Sequence, residues 1–272
     1  MPVRAGRARD RLYTSTVTAF SAVLIAQNEE NNIQAALQSV AFCEERVVVD
    51  SGSTDRTREL AEAAGARVIL NSPWPGFVAQ RNFAVERARH DWILALDADE
   101  RITPALREEI GSLRGEGLAC AAYRIPRAVF YMGRWIRATD WYPDSQIRIF
   151  DRRRGRWEGA LVHESVRVQG RVGRLRSPME HYPYADISAH LRKIDGYTTL
   201  WARQAFEAGR RTNTLGMALI PLWTFLRNYL LKRGVLLGQA GLTVSTLNAY
   251  YTYLKLAKLA ELARSQASSA AR

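Results

Sequence analysis

An α/β fold, with a mostly parallel sheet flanked by helices, is what this sequence predicts, on three observations. From residue 20 to about residue 125, short apolar runs alternate with helix-period segments, the pattern of buried parallel strands joined by crossover helices. Three of the runs end in polar clusters, Asn28-Glu29-Glu30, Asp50-Ser51-Gly52-Ser53-Thr54-Asp55 and Asp97-Ala98-Asp99-Glu100, and sheets of this kind bind ligands beyond the carboxyl ends of their strands. At 272 residues, 47% hydrophobic and 24% charged, the chain is also long enough to bury the core such a sheet needs.

The basic N-terminal arm, residues 1–16, carries Arg4, Arg7, Arg9 and Arg11 ahead of the apolar run Phe20 to Ala26. This mimics a secretory signal. The run is short, however, passes directly into Gln27-Asn28-Glu29-Glu30 and is followed by no small-residue cleavage pattern, so a buried strand is expected. Strands are expected at Ser21 to Ala26, Arg46 to Val49, Arg67 to Leu70, Trp92 to Leu96 and Ala121 to Ile125. Ile33, Leu37 and Val40 fall at i, i+4 and i+7, one face of a helix opened by the polar run Asn28 to Asn32. Another helix is expected near Thr103-Pro104. The strand-rich part, residues 17–185, becomes irregular and rich in Trp, Tyr and Arg from about residue 126, residues 186–264 read as helical, and 265–272 as a frayed tail.

The net charge of +12 directs the surface toward anionic partners: nucleic acid, anionic lipid or a phosphorylated glycolipid. Nucleic acid fits poorly, because the acidic clusters at strand ends would repel a phosphate backbone and no nucleic-acid module is present. From His190 to Arg264 eleven Lys and Arg oppose three Asp and Glu. The uncharged stretch between Arg211 and Arg227 is broken by Pro221 and short for a bilayer span, while Gly234 to Leu254 has spanning length but carries Gln239, Thr243, Ser245, Thr246 and Asn248. With Arg227, Lys232, Arg233, Lys255 and Lys258 flanking them beside Tyr229, Tyr250, Tyr251 and Tyr253, these helices are expected to lie on the membrane surface, attached peripherally to the inner face of the cytoplasmic membrane. Cys43 and Cys120 are too isolated for a disulfide framework or a zinc site, so a reducing cytosol is the expected compartment.

Asp97 and Asp99 follow Trp92 to Leu96 directly, so two carboxylates leave the end of a strand together. They suit a hard divalent cation, Mg2+ or Mn2+, which takes oxygen ligands and bridges phosphates; the alternative is an acidic loop that caps the following helix. Asp50 opens a turn that Gly52 makes tight and can accept a hydrogen bond from a base or ribose, while Ser53 or Asp55 caps the next helix. Trp135, Trp141, Tyr142 and Trp157 interleave with Arg134, Arg137, Arg152, Arg153, Arg154 and Arg156. They would either shape a phosphorylated glycolipid site or pack the sheet edge.

Six motifs in order resemble the inverting family 2 glycosyltransferases of the GT-A, Rossmann-like fold: Ala26-Gln27-Asn28-Glu29, Val47 through Asp55, Trp74-Pro75-Gly76-Phe77-Val78-Ala79-Gln80-Arg81, Leu96 through Glu100, Arg148-Ile149-Phe150 and Val162-His163-Glu164. Within that family the sequence is most similar to the lipopolysaccharide inner-core β-1,4-glucosyltransferases. The resemblance implies a donor half to about residue 125 and an acceptor half from about 126 to 185. It places Asn28, Glu29, Asp50, Gly52, Gln80, Arg81, Asp97, Ala98, Asp99 and Arg148 at a nucleotide-sugar, UDP-glucose above all. Arg81 and Asn82 stand where many relatives carry Lys and Gln. Metal ligands would be Asp99, Asp97 and His163. Glu164 would take the proton from the acceptor hydroxyl, with Asp144 and Asp140 as alternatives. The acceptor would be an anionic glycolipid such as a core heptose, with a polyprenyl phosphate, a capsule or exopolysaccharide intermediate or a protein side chain as the other acceptor classes; a non-catalytic membrane-associated scaffold is the alternative that the intact Asp50, Asp97 and Asp99 oppose.

Overall fold

The computed structural model describes residues 18–159 and 164–270. β1 (Phe20–Ala26) passes through α1 (Ile33–Ser39) to β2 (Glu45–Asp50), and α2 (Thr57–Ala63) leads on to β3 (Arg67–Leu70). Next come α3 (Phe77–Glu86), β4 (Trp92–Asp97), the two-residue β5 (Glu100–Arg101) and α4 (Pro104–Glu116). The irregular region holds β6 (Ala122–Tyr131), β7 (Arg134–Ile136), β8 (Asp144–Asp151), β9 (Gly155–Glu158), β10 (Ser165–Val168), β11 (Val172–Arg174) and β12 (Met179–His181). It is followed by α5 (Ile187–Glu207), α6 (Thr214–Leu226) and α7 (Gly238–Ala270), the last running on as helix through most of the expected tail.

The main sheet is ordered β3-β2-β1-β4-β8-β6-β12-β5. Its first four strands are parallel, and β8 then runs antiparallel to both β4 and β6, so the sheet is mixed, parallel from β1 to β4 and switching direction at β8. The apolar run that mimics a signal is the central strand β1, buried on both faces: Phe20, Ala22 and Leu24 pack with Leu37, Leu106 and Ile110, and Val23 packs with Val47, Ala84 and Phe150. Thr103 caps α4 by accepting from the Leu106 N–H at 3.2 Å with Pro104 in the first turn, so the acidic loop before it is not spent on that cap.

Across the seam between the two halves runs a chain of alternating charges. Arg81 donates to Asp97 at 2.6 Å, Arg148 bridges Asp97 at 2.7 Å and Glu100 at 2.5 Å, and Arg127 joins Glu100 at 3.0 Å to Asp144. The middle is dry, Glu100 being fully buried and the Arg148 side chain 4% exposed. Burial works against ionisation of Asp97, but Arg148, Arg81 and Arg127 outweigh it and hold the carboxyl far below the usual carboxylate range; Arg148, opposed by burial but favoured by Asp97 and Glu100, is held above its ordinary value.

The C-terminal helices dock on the β6–β7 end of the sheet. Ala240 and Val244 of α7 pack on Val129, Tyr131 and Ile136, and α5 meets α7 through Ala202, Ala205 and Leu259. The α6–α7 turn is so close at Gly241 that a Cβ there would sit 1.8 Å from the Gly234 carbonyl oxygen. Among the described residues no helix is long and apolar enough to cross a membrane.

Removing Arg148 leaves the buried Glu100 and the partly buried Asp97 without the cation between them. Arg148→Met is expected to cost about 3–5 kcal/mol in urea unfolding at neutral pH. The depressed Asp97 carboxyl stabilises the parent above the ordinary carboxylate range, a contribution lost only as pH falls through the depressed value. Without Arg148, Asp97 takes up a proton at higher pH, so the deficit should narrow as pH is lowered from neutrality; a deficit constant with pH would contradict this.

Candidate active site

The loops after β1 and β2 are stitched together before any ligand arrives. Asn28 adopts a left-handed backbone (φ 55°), its N–H donates to Ser53 Oγ at 2.9 Å, and its Oδ1 accepts from the Thr54 N–H at 2.9 Å. The Glu29 N–H donates to Thr57 Oγ1 at 2.7 Å. Asp50 is fully buried and turns its carboxylate inward, where Oδ1 accepts from the N–H groups of Gly52 at 3.0 Å and Ser53 at 2.9 Å and Oδ2 accepts from the Ser53 hydroxyl. Gly52 sits at φ 93°, a conformation that glycine adopts without strain. This folding puts Ser51 on the cavity wall. Gln80, also fully buried, donates from Nε2 to Ser51 Oγ at 2.9 Å and accepts from Asn71 Nδ2 at 2.6 Å. Asp50 and Gln80 thus stand one layer behind the surface that a donor would touch.

That surface encloses a cavity of about 350 Å3 lined by Gln27, Glu29, Ser51, Trp74, Phe77, Arg81, Asp97, Ala98, Asp99, Lys193 and Tyr197 among others. A larger open groove of about 980 Å3 runs between α3 and α5 but holds neither member of the acidic pair. The two aspartates differ in their commitments. Both Asp97 oxygens are taken, Oδ1 by Arg81 and Oδ2 by Arg148, and Arg81 is itself stacked on Trp157 with 4.5 Å to the ring centroid. Asp99 has no arginine partner among the described residues. Its Oδ2 faces His181 Nε2 at 3.5 Å and Lys193 Nζ at 3.9 Å, and His181 Nδ1 is buried without a hydrogen-bond partner. Burial raises the Glu29 carboxyl above its usual range against the opposing hydrogen bond from Asn32, and the charges of Asp99 and Asp97 add to the rise.

Lys193, Tyr197 and His181 belong to this site and were missed from sequence. Lys193 and Tyr197 lie four apart on α5, so they share a helix face, yet nothing in that spacing says which cavity the face meets. Burial raises the Tyr197 hydroxyl above its ordinary pKa, with Glu164, Asp97 and Asp99 adding to the shift.

The three carboxylates expected as the base or its alternatives have different basic partners. Glu164 stands near the cavity with Oε1 3.9 Å from Arg81. Asp144 is the far end of the charge chain and lines a second cavity, of about 160 Å3, together with Asp140 and His181. Burial opposes ionisation of Asp144, but Arg127 and Gln146 hold it below its usual range. Asp140 is gripped by Arg227, by Lys232 at 2.8 Å and by Asn228 at 2.8 Å. His163 lies outside the described residues.

The aromatic and arginine-rich segment mostly packs. Arg152 donates to the Ala88 carbonyl at 2.6 Å, Arg153 pairs with Asp151 at 2.7 Å and Arg154 donates to the Gln169 carbonyl at 3.0 Å, all fixing the turn after β8. Trp135 sits edge-on to Phe130 and Tyr182. Arg156 instead lines the large groove, and Trp141 walls the second cavity and a third of about 200 Å3 that Tyr184, Tyr197, Asn248 and Tyr251 also line.

The sequence model of glycosyl transferase family 2 matches residues 21–181, the span from β1 to β12. The chain is 31% identical over 245 residues to the lipopolysaccharide core biosynthesis glycosyltransferase LpsC of Rhizobium meliloti, covering 88% of this chain and 91% of that protein. It is 29% identical over 254 residues to an uncharacterised glycosyltransferase of Rickettsia typhi, covering 89% and 87%. Glucosyl-3-phosphoglycerate synthase from Mycobacterium tuberculosis, solved with Mn2+, uridine diphosphate and glucosyl-3-phosphoglycerate, overlaps 49% of this chain and 51% of its own at 25% identity and a TM-score of 0.35. With the family's sequence model matching residues 21–181, over a mixed sheet flanked by helices as expected of the GT-A fold, this chain belongs to glycosyl transferase family 2 and is a glycosyltransferase.

Proposed function

We propose that the enzyme transfers a sugar, glucose from UDP-glucose being the donor that the family resemblance implies, to a lipopolysaccharide core sugar or a similar anionic glycolipid at the inner face of the cytoplasmic membrane, with inversion at the anomeric carbon. The observation that carries this reading is the unequal pair at the end of β4, where Asp97 is consumed by two arginines and Asp99 faces the cavity with His181 and Lys193 as its basic neighbours among the described residues. The similarity to LpsC supports the acceptor class.

Asp99 and His181 fit a hard divalent cation. Among the described residues no group of three or more His, Cys, Asp and Glu is gathered to hold a metal, and Mg2+ or Mn2+ at a phosphate site needs only one or two protein ligands, the rest being phosphate and water oxygens. His181, with Nε2 toward Asp99 and Nδ1 unsatisfied, supplies a nitrogen on the same side. Such an ion, when bound, neutralises charge on the departing nucleoside diphosphate. The chain's own contribution is positional: Trp157 and Asp97 fix Arg81 so that its charge faces the diphosphate, and Lys193 closes the opposite wall. Glu164 takes the proton from the attacking hydroxyl. Asp144 is the second reading of the base, favoured by its place on the cavity that His181 shares, but its bond to Arg127 makes it the weaker one.

Titration calorimetry with a panel of nucleoside diphosphates, with and without Mn2+, tests the donor site. UDP is expected to bind with Mn2+ present, and Asp99→Ala to weaken it by about tenfold or more, roughly 1.4 kcal/mol, while unfolding as the parent does. Equal binding by the variant would remove Asp99 from the site. For the base, Glu164→Gln should lower kcat by about 10²–10⁴ with UDP affinity unchanged; turnover within a few-fold of the parent would transfer the role to Asp144.

A further inference from the structure

The outward face of α6 is apolar and uncovered. Leu215, Leu219, Leu222 and Trp223 repeat along it at helical spacing, and Leu231 and Leu236 carry it over the turn into α7, with exposures from 52% at Leu219 to 71% at Leu236. The opposite stripe, Pro221, Thr224 and Asn228, is buried toward α7. An apolar patch of this extent marks a binding surface. Its charge says for what: residues 208–260 contain seven Lys and Arg and no Asp or Glu, and although Arg227 and Lys232 pair with Asp140 and Lys258 with Asp195, Arg210, Arg211, Arg233 and Lys255 have no acidic partner among the described residues. Two copies meeting through this face would bring like charges together, whereas an anionic lipid surface neutralises the cations and takes up the leucines.

The same turn is tied to the acceptor side by a polar network. The Thr139 N–H donates to the Lys232 carbonyl at 3.0 Å and the Asp140 N–H donates to Asn228 Oδ1 at 2.7 Å. Asn228, fully buried, returns a bond from Nδ2 to Asp140 Oδ2 at 2.8 Å and accepts at Oδ1 from Asn248 Nδ2 at 3.1 Å. Asn248 Oδ1 accepts from the Trp141 indole N–H at 3.1 Å. Thr139 is held with a left-handed backbone, φ 66°, a conformation that needs such support.

We propose that the α6–α7 turn docks on an anionic lipid surface and, through Asn228, fixes the segment Thr139–Trp141 that walls the acceptor-side cavities. Asp140 is then a positioning residue that holds this segment to the docked turn. The coupling gives a lipid-linked acceptor a site completed where the acceptor resides, and so rests on the glycolipid reading; the docking itself does not depend on the donor chemistry.

The full chain is mixed with vesicles of phosphatidylcholine alone or with added phosphatidylglycerol, and followed by co-sedimentation and by hydrogen–deuterium exchange. The parent should sediment only with the anionic vesicles, and Leu219→Glu/Trp223→Glu should lower the bound fraction about tenfold or more with UDP affinity unchanged. Exchange at the Thr139 and Asp140 amides should slow when the parent is bound, and should not slow in Asn228→Ala while that variant still sediments. Failure of the parent to sediment, or self-association through Leu219 and Trp223 that ignores lipid, overturns the docking. Sedimentation with unchanged exchange at Thr139 and Asp140 in the parent overturns the coupling, even if Asn228→Ala fails to fold. Vesicle binding by protein that takes no nucleoside diphosphate would leave the docking standing and sink the glycosyl-transfer reading instead.

Discussion

Three arginines and three carboxylates alternate from Arg81 through Asp97, Arg148, Glu100 and Arg127 to Asp144, and this chain of ion pairs is what makes two half-sheets into one site. Its members come from α3, β4, β5, β6 and β8. Taking charges out of water costs several kcal/mol per ion, and their mutual attraction offsets that cost only where each has good partners. Here the interior members have neighbours of opposite sign on both sides, so the parallel strands β1 to β4 and the mixed strands beyond β8 are locked in one relative position. An apolar seam of the same volume would hold the halves together too, but it would not aim Arg81 at the cavity.

The chain also explains why an Asp-x-Asp pair two residues apart divides its work. Asp97, at the end of the strand, is turned toward the arginines, while Asp99 projects past them to His181 and Lys193. A similar layering holds on the β2 side, where the inward carboxylate of Asp50 and the buried amide of Gln80 settle where Ser51 stands. Residues in a motif need not line the cavity; Asp50 and Gln80 shape the backbone and side chains of the loop that does.

How much of this was legible from sequence follows from the range of the interactions concerned. β1 to β4 and α1 are set by local apolar periodicity, and they fall within a residue or two of expectation. β8 was not read as a strand, because Asp144, Arg148 and Asp151 interrupt the apolar alternation; Arg148 is buried against partners up to 51 residues away, which no local window contains. The same limit hid the place of Lys193 and Tyr197, nearly a hundred residues beyond Asp99. The apolar and basic character of the C-terminal third was plain in composition, but its connection to Trp141 runs through Asn228 and Asn248, two uncharged amides inside helical stretches that read as ordinary packing.

The division of roles between the two aspartates can be seen directly by anomalous diffraction from crystals soaked in Mn2+ and UDP. An anomalous peak within coordination distance of Asp99 and His181, with UDP in the adjoining cavity and Asp97 still bonded to Arg81 and Arg148, is the predicted result. A peak coordinated by Asp97 with its arginines displaced, or nucleotide bound outside this cavity, would contradict it.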